Sequence, residues 1–227
     1  MGNLNAIVLP GLDGSDTLLQ PFVDAAPHNT LARVESLPDR QFTDYSSLAD
    51  HFSETLCDAP PCLLIAESFS GPLAILLAHR LPELVQRLVL VATFATAPVP
   101  RVVKFLPWFL LLRLPIPARA ARVLIGDHQE LLPSLRIAIR QQQVATLASR
   151  ISMLCSVDVK SQLAALHRPI TYLTATDDRL ISPRYGRDIA SAYPKTDNRS
   201  VNGPHLILQT QPDECWKQIL ASLQTLP

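Results

Sequence analysis

A serine, an aspartate and a histidine, far apart in the chain, each stand just past a short apolar run. Ser68 sits in Ala66-Glu67-Ser68-Phe69-Ser70-Gly71, directly after the run C-L-L-I-A at residues 62–66. Asp178 follows I-T-Y-L-T-A at 170–175 and opens Asp178-Arg179-Leu180-Ile181. His205 lies in Asn202-Gly203-Pro204-His205-Leu206, after a run at 198–201. A serine hydroxyl is a weak nucleophile at neutral pH, and an imidazole that takes its proton makes it a strong one. A carboxylate on the other ring nitrogen fixes the imidazole tautomer and stabilises the imidazolium. Brought together, the three could attack a carbonyl carbon. Each also has a plainer role: serine caps helices, loop aspartates satisfy turn backbone, and lone histidines are often structural. Two neighbours compete with them. Ser70 offers a second hydroxyl within S-F-S-G-P, and Asp177 a second carboxylate beside Asp178.

The elements that must position these residues can be read from the pattern. Strands are expected at residues 6–10, 33–37, 62–66, 87–93, 170–175 and 198–201. The run at 62–66 is uninterrupted, as in strands buried on both faces of a parallel sheet. Between the strands lie helical patterns. Asp44 or Ser46 can cap a helix with Leu48, Phe52 and Leu56 on one face, stopped by Pro60 and Pro61. Another carries Leu73, Leu76 and Leu77 and ends at Pro82; two more span about 183–193 and 212–223. Strands alternating with helices imply an α/β fold, a mostly parallel sheet with helices on both faces. No strand pattern appears between Thr93 and Pro169, a gap too long for a plain loop. Residues 129–139 and 141–154 favour helix, and Asp158 can cap a helix at 159–166. The expected organisation is a core of residues 1–94 and 168–227, with 95–167 inserted as a helical lid. In such sheets, sites form beyond the carboxyl ends of the strands, where Ser68, Asp178 and His205 all fall. Leu9-Pro10-Gly11-Leu12-Asp13-Gly14 occupies the same place after the first strand.

These segments resemble the α/β-hydrolases. The stretch around Ser68 is similar to their nucleophile elbow, G-x-S-x-G, a sharp strand-to-helix turn that lifts the serine out of the sheet. Here Ala66 and Ser70 stand where that pattern has glycine. Asp178 fits the family's acid loop and His205 its histidine, in the family's chain order of serine, acid, histidine. The loop P-G-L-D-G resembles the family's H-G-x-x-G with Pro10 in place of histidine, which makes the backbone N–H groups of Leu12 and Phe69 the implied oxyanion-hole donors. The resemblance covers residues 6–93 and 169 onward, and its motifs do not reach the insertion. A serine at the elbow implies acyl transfer: hydrolysis of a carboxylic ester through an acyl-enzyme on Ser68, with no cofactor or metal. The same triad also serves an acyl thioesterase or acyltransferase, and a ligand-binding protein can keep the fold without the activity.

Composition narrows the partners. Hydrophobic residues make up 48% and charged ones 18%, which describes a globular chain rather than a disordered one. Lysine plus arginine equals aspartate plus glutamate, 20 against 20, so nothing suggests a nucleic-acid surface. Cys57, Cys62, Cys155 and Cys215 form no C-x-x-C pair and read as free thiols. The first ten residues lack a basic region ahead of a long apolar run, so no signal peptide is read, and the expected location is the cytoplasm. The apolar stretch at 102–117 is shorter than the roughly 20 residues of a span and is broken by Lys104, Pro107, Arg113 and Pro115, so no transmembrane segment is expected. Its Phe105, Trp108 and Phe109 are candidates to line a substrate pocket. Arg101, Lys104, Arg113, Arg119 and Arg122 make this half of the insertion basic, a face for an acyl carrier or simply for solvent. The compact insertion and the V-D-V-K…L segment at 157–163 resemble small carboxylesterases that demethylate pimeloyl esters, while the elbow and the P-G-L-D-G loop depart from that group.

Overall fold

The computed structural model describes residues 4–114 and 117–225. Residues 1–3, 115, 116, 226 and 227 lie outside the described residues, and with them the start of the N-terminal stretch and part of the apolar stretch at 102–117. Strands β1 (Leu4–Leu9), β2 (Thr30–Val34), β3 (Cys62–Glu67), β4 (Val85–Val91), β5 (Ile170–Ala175) and β6 (Asp197–Val201) form one sheet in the order β2-β1-β3-β4-β5-β6. Every neighbouring pair is parallel. Helices α1 (Gln20–Asp24), α2 (Tyr45–Leu56) and α3 (Ser70–Arg80) lie in the first half. After β4 come a 3-10 turn (Arg101–Phe105), α4 (Trp108–Leu111), α5 (Ala118–Ile125), α6 (Leu132–Gln141), α7 (Val144–Leu154) and α8 (Lys160–Ala164). Helix α9 (Arg184–Ala192) joins β5 to β6, and α10 (Ile207–Thr210) and α11 (Pro212–Thr225) close the chain.

β3 shows why the sheet must be covered on both sides. All six of its residues are buried, and successive side chains point to opposite faces. Leu64 and Ala66 join the layer with Leu73 of α3, Phe52 of α2 and Ile189 of α9. Leu63 and Ile65 join the opposite layer with Phe22 of α1 and Trp216 of α11, whose rings stack 4.6 Å apart. α2 starts where expected, because Asp44 accepts the Ser47 N–H at 2.8 Å while the Ser47 hydroxyl faces the Asp44 N–H. The strand order makes the chain leave β1 toward β2 and return to β3 on the other side. The crevice between the carboxyl ends of β1 and β3 is the topological switch point, where ligands bind in open α/β sheets.

The observed boundaries correct several expectations. β2 is Thr30–Val34 rather than 33–37: it is an edge strand with alternating burial, and the apolar Leu37 that suggested the later frame is buried in the following loop. The helix expected at 129–139 is a short turn (Gln129–Leu131) followed by α6, whose Pro133 falls in the first helical turn, where a missing N–H costs nothing. The helix expected from 141 starts at Val144, because Gln142 and Gln143 are extended. Asp158 does accept the Lys160 N–H at 3.1 Å, but α8 is only five residues long. Its flank returns to the sheet: the Val159 N–H bonds the Ala95 carbonyl at 2.9 Å, and Asp158 bridges Thr96.

Candidate functional site

The strand-to-helix turn after β3 holds Ser68 at φ 50, a left-handed conformation that a β-carbon disfavours. Such a backbone persists only when its surroundings over-determine it, and here they do. The Ser68 N–H bonds the Val91 carbonyl at 2.9 Å, and its own carbonyl accepts from the Gly71 N–H at 3.1 Å and from the Thr93 hydroxyl. The Tyr45 hydroxyl donates to the Phe69 carbonyl at 2.9 Å. The close approach of helix and strand falls on Gly71, where a β-carbon would lie 2.0 Å from Thr93 Oγ1. Ser70, in the place of the motif's second glycine, is fully buried and donates to the Pro10 carbonyl at 2.5 Å. Its hydroxyl therefore ties the turn to the loop after β1 and is turned away from the imidazole.

The imidazole of His205 bridges the two other residues. Its Nε2 lies 2.9 Å from Ser68 Oγ and its Nδ1 lies 2.8 Å from Asp178 Oδ2. Both side chains of this pair are almost wholly shielded, His205 at 2% and Asp178 at 3% exposure, so little water competes for these bonds. The other Asp178 oxygen accepts the Leu180 and Ile181 N–H groups, each at 2.8 Å, which orients the carboxylate. Asp177 is exposed, and only its backbone N–H is engaged, with the Gly203 carbonyl at 2.9 Å. Nδ1–H donating to Asp178 and Nε2 accepting the Ser68 proton is the tautomer that serves both bonds.

A cavity of about 130 Å³ opens on Ser68 and His205. Its apolar wall comes mainly from Leu18, Leu112, Leu124, Leu135, Ile139 and Leu147, with Leu12 and Asp13 at its edge. Phe105, Trp108 and Phe109 do not line it, which corrects the pocket expected from sequence. Phe105 and Phe109 are 75% and 53% exposed, and the Trp108 indole N–H is turned to the Val103 carbonyl at 2.8 Å. Trp108 is half-buried, and from this stretch Leu112 is the residue that reaches the cavity. The backbone N–H groups of Leu12 and Phe69 make no hydrogen bond within the described residues; Leu12 lines the same cavity as Ser68, and Phe69 directly follows the serine.

Two buried polar groups escaped the sequence reading. Arg150 of α7 is 4% exposed and donates to the carbonyls of Leu12 at 2.9 Å, Asp13 at 2.8 Å and Pro38 at 3.1 Å. Gly14 makes room for it: at φ 74, a β-carbon there would lie 2.4 Å from the guanidinium. Burial pushes the nearby Asp13 carboxyl up, opposed by its bonds from Ser15 and by the charge of Arg150. Glu67, next to Ser68, is 1% exposed and accepts from Gln209 Nε2 at 2.9 Å. Burial pushes its carboxyl up to about 8, opposed by the Gln209 bond and reinforced by the negative charges of Asp13 and Asp178. Its second oxygen and the Gln209 carbonyl oxygen are both buried without a partner. A buried carboxylate oxygen without a donor disfavours the charged form, in line with the upward shift. The signal in the sequence was a charged residue inside an elbow that otherwise carries small and apolar side chains.

The sequence model of the alpha/beta hydrolase family matches residues 5–218. The chain belongs to that family. None of the curated proteins matches it in sequence. Among solved structures, this alpha/beta hydrolase is similar to an enol-lactonase from Burkholderia xenovorans LB400 (TM-score 0.83, 16% identity, covering 99% of this chain and 92% of that one). It is similar also to a thermophilic esterase from Thermogutta terrifontis (0.83, 17%, 99% and 91%) and to MenH from S. aureus (0.79, 14%, 99% and 95%). At these identities the likeness shows a shared fold.

Proposed function

We propose that this alpha/beta hydrolase cleaves carboxylic esters through an acyl-enzyme on Ser68. The observation that carries the reading is the continuous line from Ser68 Oγ to His205 Nε2 at 2.9 Å and from His205 Nδ1 to Asp178 at 2.8 Å. In the first step the Ser68 oxygen attacks the ester carbonyl carbon while His205 takes its proton, and Asp178 stabilises the imidazolium. The Leu12 and Phe69 N–H groups bind the oxyanion that forms; a single such donor is typically worth about 3–4 kcal/mol. His205 then returns the proton to the leaving alcohol, and a water activated by the same nitrogen releases the acid. No step calls for a metal or cofactor. The β4–β5 connection, roofing the cavity, acts as the lid. Acyl thioesters would follow the same path, and competing turnover of oxygen esters and thioesters separates the two.

The cavity sets the acyl group. Apolar walls favour a hydrocarbon chain, and the Asp13 carboxyl at the edge disfavours an anionic one. An apolar cavity of about 150 Å³ takes a benzene molecule, so a cavity of about 130 Å³ fits a short acyl chain. The test is hydrolysis of para-nitrophenyl esters of increasing chain length by wild type and Ser68→Ala. Turnover should peak at roughly four to six acyl carbons, given that cavity scale, and fall by at least about 10⁴-fold in the variant. A folded Ser68→Ala protein with undiminished turnover would remove Ser68 from the reaction.

A further inference from the structure

Most of the large hydrophobic side chains that the described residues expose sit in one stretch of thirteen. Val102, Phe105, Leu110 and Leu114 are 67%, 75%, 62% and 63% exposed, and Leu106, Phe109 and Leu111 are also open to solvent. Elsewhere among the described residues only Leu31, Ile137 and Leu180 are comparably exposed. Single exposed apolar residues are ordinary, but a contiguous patch marks a surface that meets something other than water.

The charges around the patch say what. Lys104 Nζ sits 5.0 Å from the centre of the Phe105 ring, and the Arg113 guanidinium sits 4.1 Å from that of Phe109. Arg101, Arg119 and Arg122 are exposed close by in sequence. No aspartate or glutamate occurs from Leu84 to Gly126. Aromatic and leucine side chains flanked by cations with no acid among them form the composition of a helix that lies in a membrane interface. A second copy of the chain is a poor occupant: a two-fold contact places the same patch on both sides, and cations would meet cations. Among the described residues no helix is long and apolar enough to cross a membrane, so the contact is with a surface.

We infer that the 3-10 turn and α4 dock this protein on an anionic lipid bilayer. Phe105, Phe109 and Leu110 enter the boundary between headgroups and acyl chains, and Lys104 and Arg113 meet lipid phosphates. The same short stretch turns Leu112 inward onto the cavity at Ser68, so the docked face is the outer side of the cavity roof. An apolar ester dissolved in the bilayer then lies beside the roof rather than across bulk water from it.

Binding can be read without turnover, so its outcome is independent of the esterase reading. The full chain is spun with vesicles of phosphatidylcholine alone and of phosphatidylcholine doped with phosphatidylglycerol. Wild type should pellet with the doped vesicles, bind plain ones at least roughly 10-fold less, and detach in high salt. Phe105→Ser/Leu110→Ser and Lys104→Glu/Arg113→Glu should each lose roughly 10- to 100-fold in partitioning. Both variants should keep the melting temperature of wild type and its labelling by a fluorophosphonate probe, which shows that they are folded. Wild type remaining in the supernatant, equal binding to both vesicle types, or full binding by either variant would overturn the inference. So would a dimer in solution that the same substitutions dissolve, which would give the face to a second copy.

Discussion

Of the stretches of the β4–β5 connection that reach the cavity at Ser68, α7 and the one around α4 are held in opposite ways. α7 contributes Leu147 to the cavity wall and drives Arg150 into the interior, where its guanidinium bonds the carbonyls of the loop after β1. The stretch around α4 contributes Leu112 and leaves its aromatic and leucine side chains outside. The charged residue is buried and the apolar ones are exposed. Hydrophobic-inside is a one-way rule, and here the polar interior groups carry the information. What fixes α7 is a set of backbone carbonyls that would otherwise be buried without donors, whereas among the described residues no buried charge ties down the side chains around Phe105.

Removing the clamp should hurt most. Arg150→Ala leaves the Leu12, Asp13 and Pro38 carbonyls unpaired and should cost about 3–5 kcal/mol of stability by denaturant unfolding. Ester turnover should fall by roughly 100-fold, because the Leu12 peptide loses its orientation. A variant as stable and active as wild type would show that these carbonyls do not hold α7. The second buried polar cluster, around Glu67, responds to pH. The Glu67 carboxyl rises from 4.5 in the unfolded chain to about 8 in the fold. A group raised on folding stabilises fully below its unfolded value, and that contribution is lost as pH climbs through the folded one. Wild type should therefore weaken by roughly 1.4 kcal/mol per pH unit between these limits relative to Glu67→Gln, which cannot ionise. Melting temperatures of the two proteins, measured from acid to alkaline pH, should diverge; parallel curves would show Glu67 already charged.

Gly14→Ala tests the room made for Arg150. The positive φ and the clash with the guanidinium together should cost about 1–3 kcal/mol, and the loss should shrink in an Arg150→Ala background, a coupling that a double-mutant cycle measures. Additive losses would separate glycine and arginine. The smallest effect is expected on the other stretch. Val102→Ser should change stability by less than about 0.5 kcal/mol, and a large drop in melting temperature would mean that the exposed patch is packed after all.

Ser68, Asp178 and His205 were legible because parallel strands announce themselves as short apolar runs and put whatever follows them at one edge of the sheet. Asp177 and Asp178 could not be separated by pattern; the fold separates them by turning one into the protein and the other out. Ser70 looked like a rival nucleophile until its hydroxyl met the Pro10 carbonyl, a contact across the sheet that no local pattern encodes. Phe105, Trp108 and Phe109 misled because apolar periodicity marks a face without saying what lies against it. Arg150 was invisible for the complementary reason: an arginine in a helix usually extends its charge into water, and only the carbonyls gathered from two loops draw this one in. Strand edges moved by two or three residues where an apolar side chain, such as Leu37, packs from a loop.

The clamp of Arg150 on Leu12 also fixes where this fold can be cut and joined. Exchanging residues 98–143 for the matching segment of another family member would leave the guanidinium and its carbonyls in one piece, so the hybrid would inherit a new roof on an intact loop. A crossover placed after α7 would exchange the helix that carries the arginine, and any other residue in its place would strand those carbonyls. By this measure α7, though it lies between β4 and β5, is inherited with the sheet, and the replaceable module ends at its first turn.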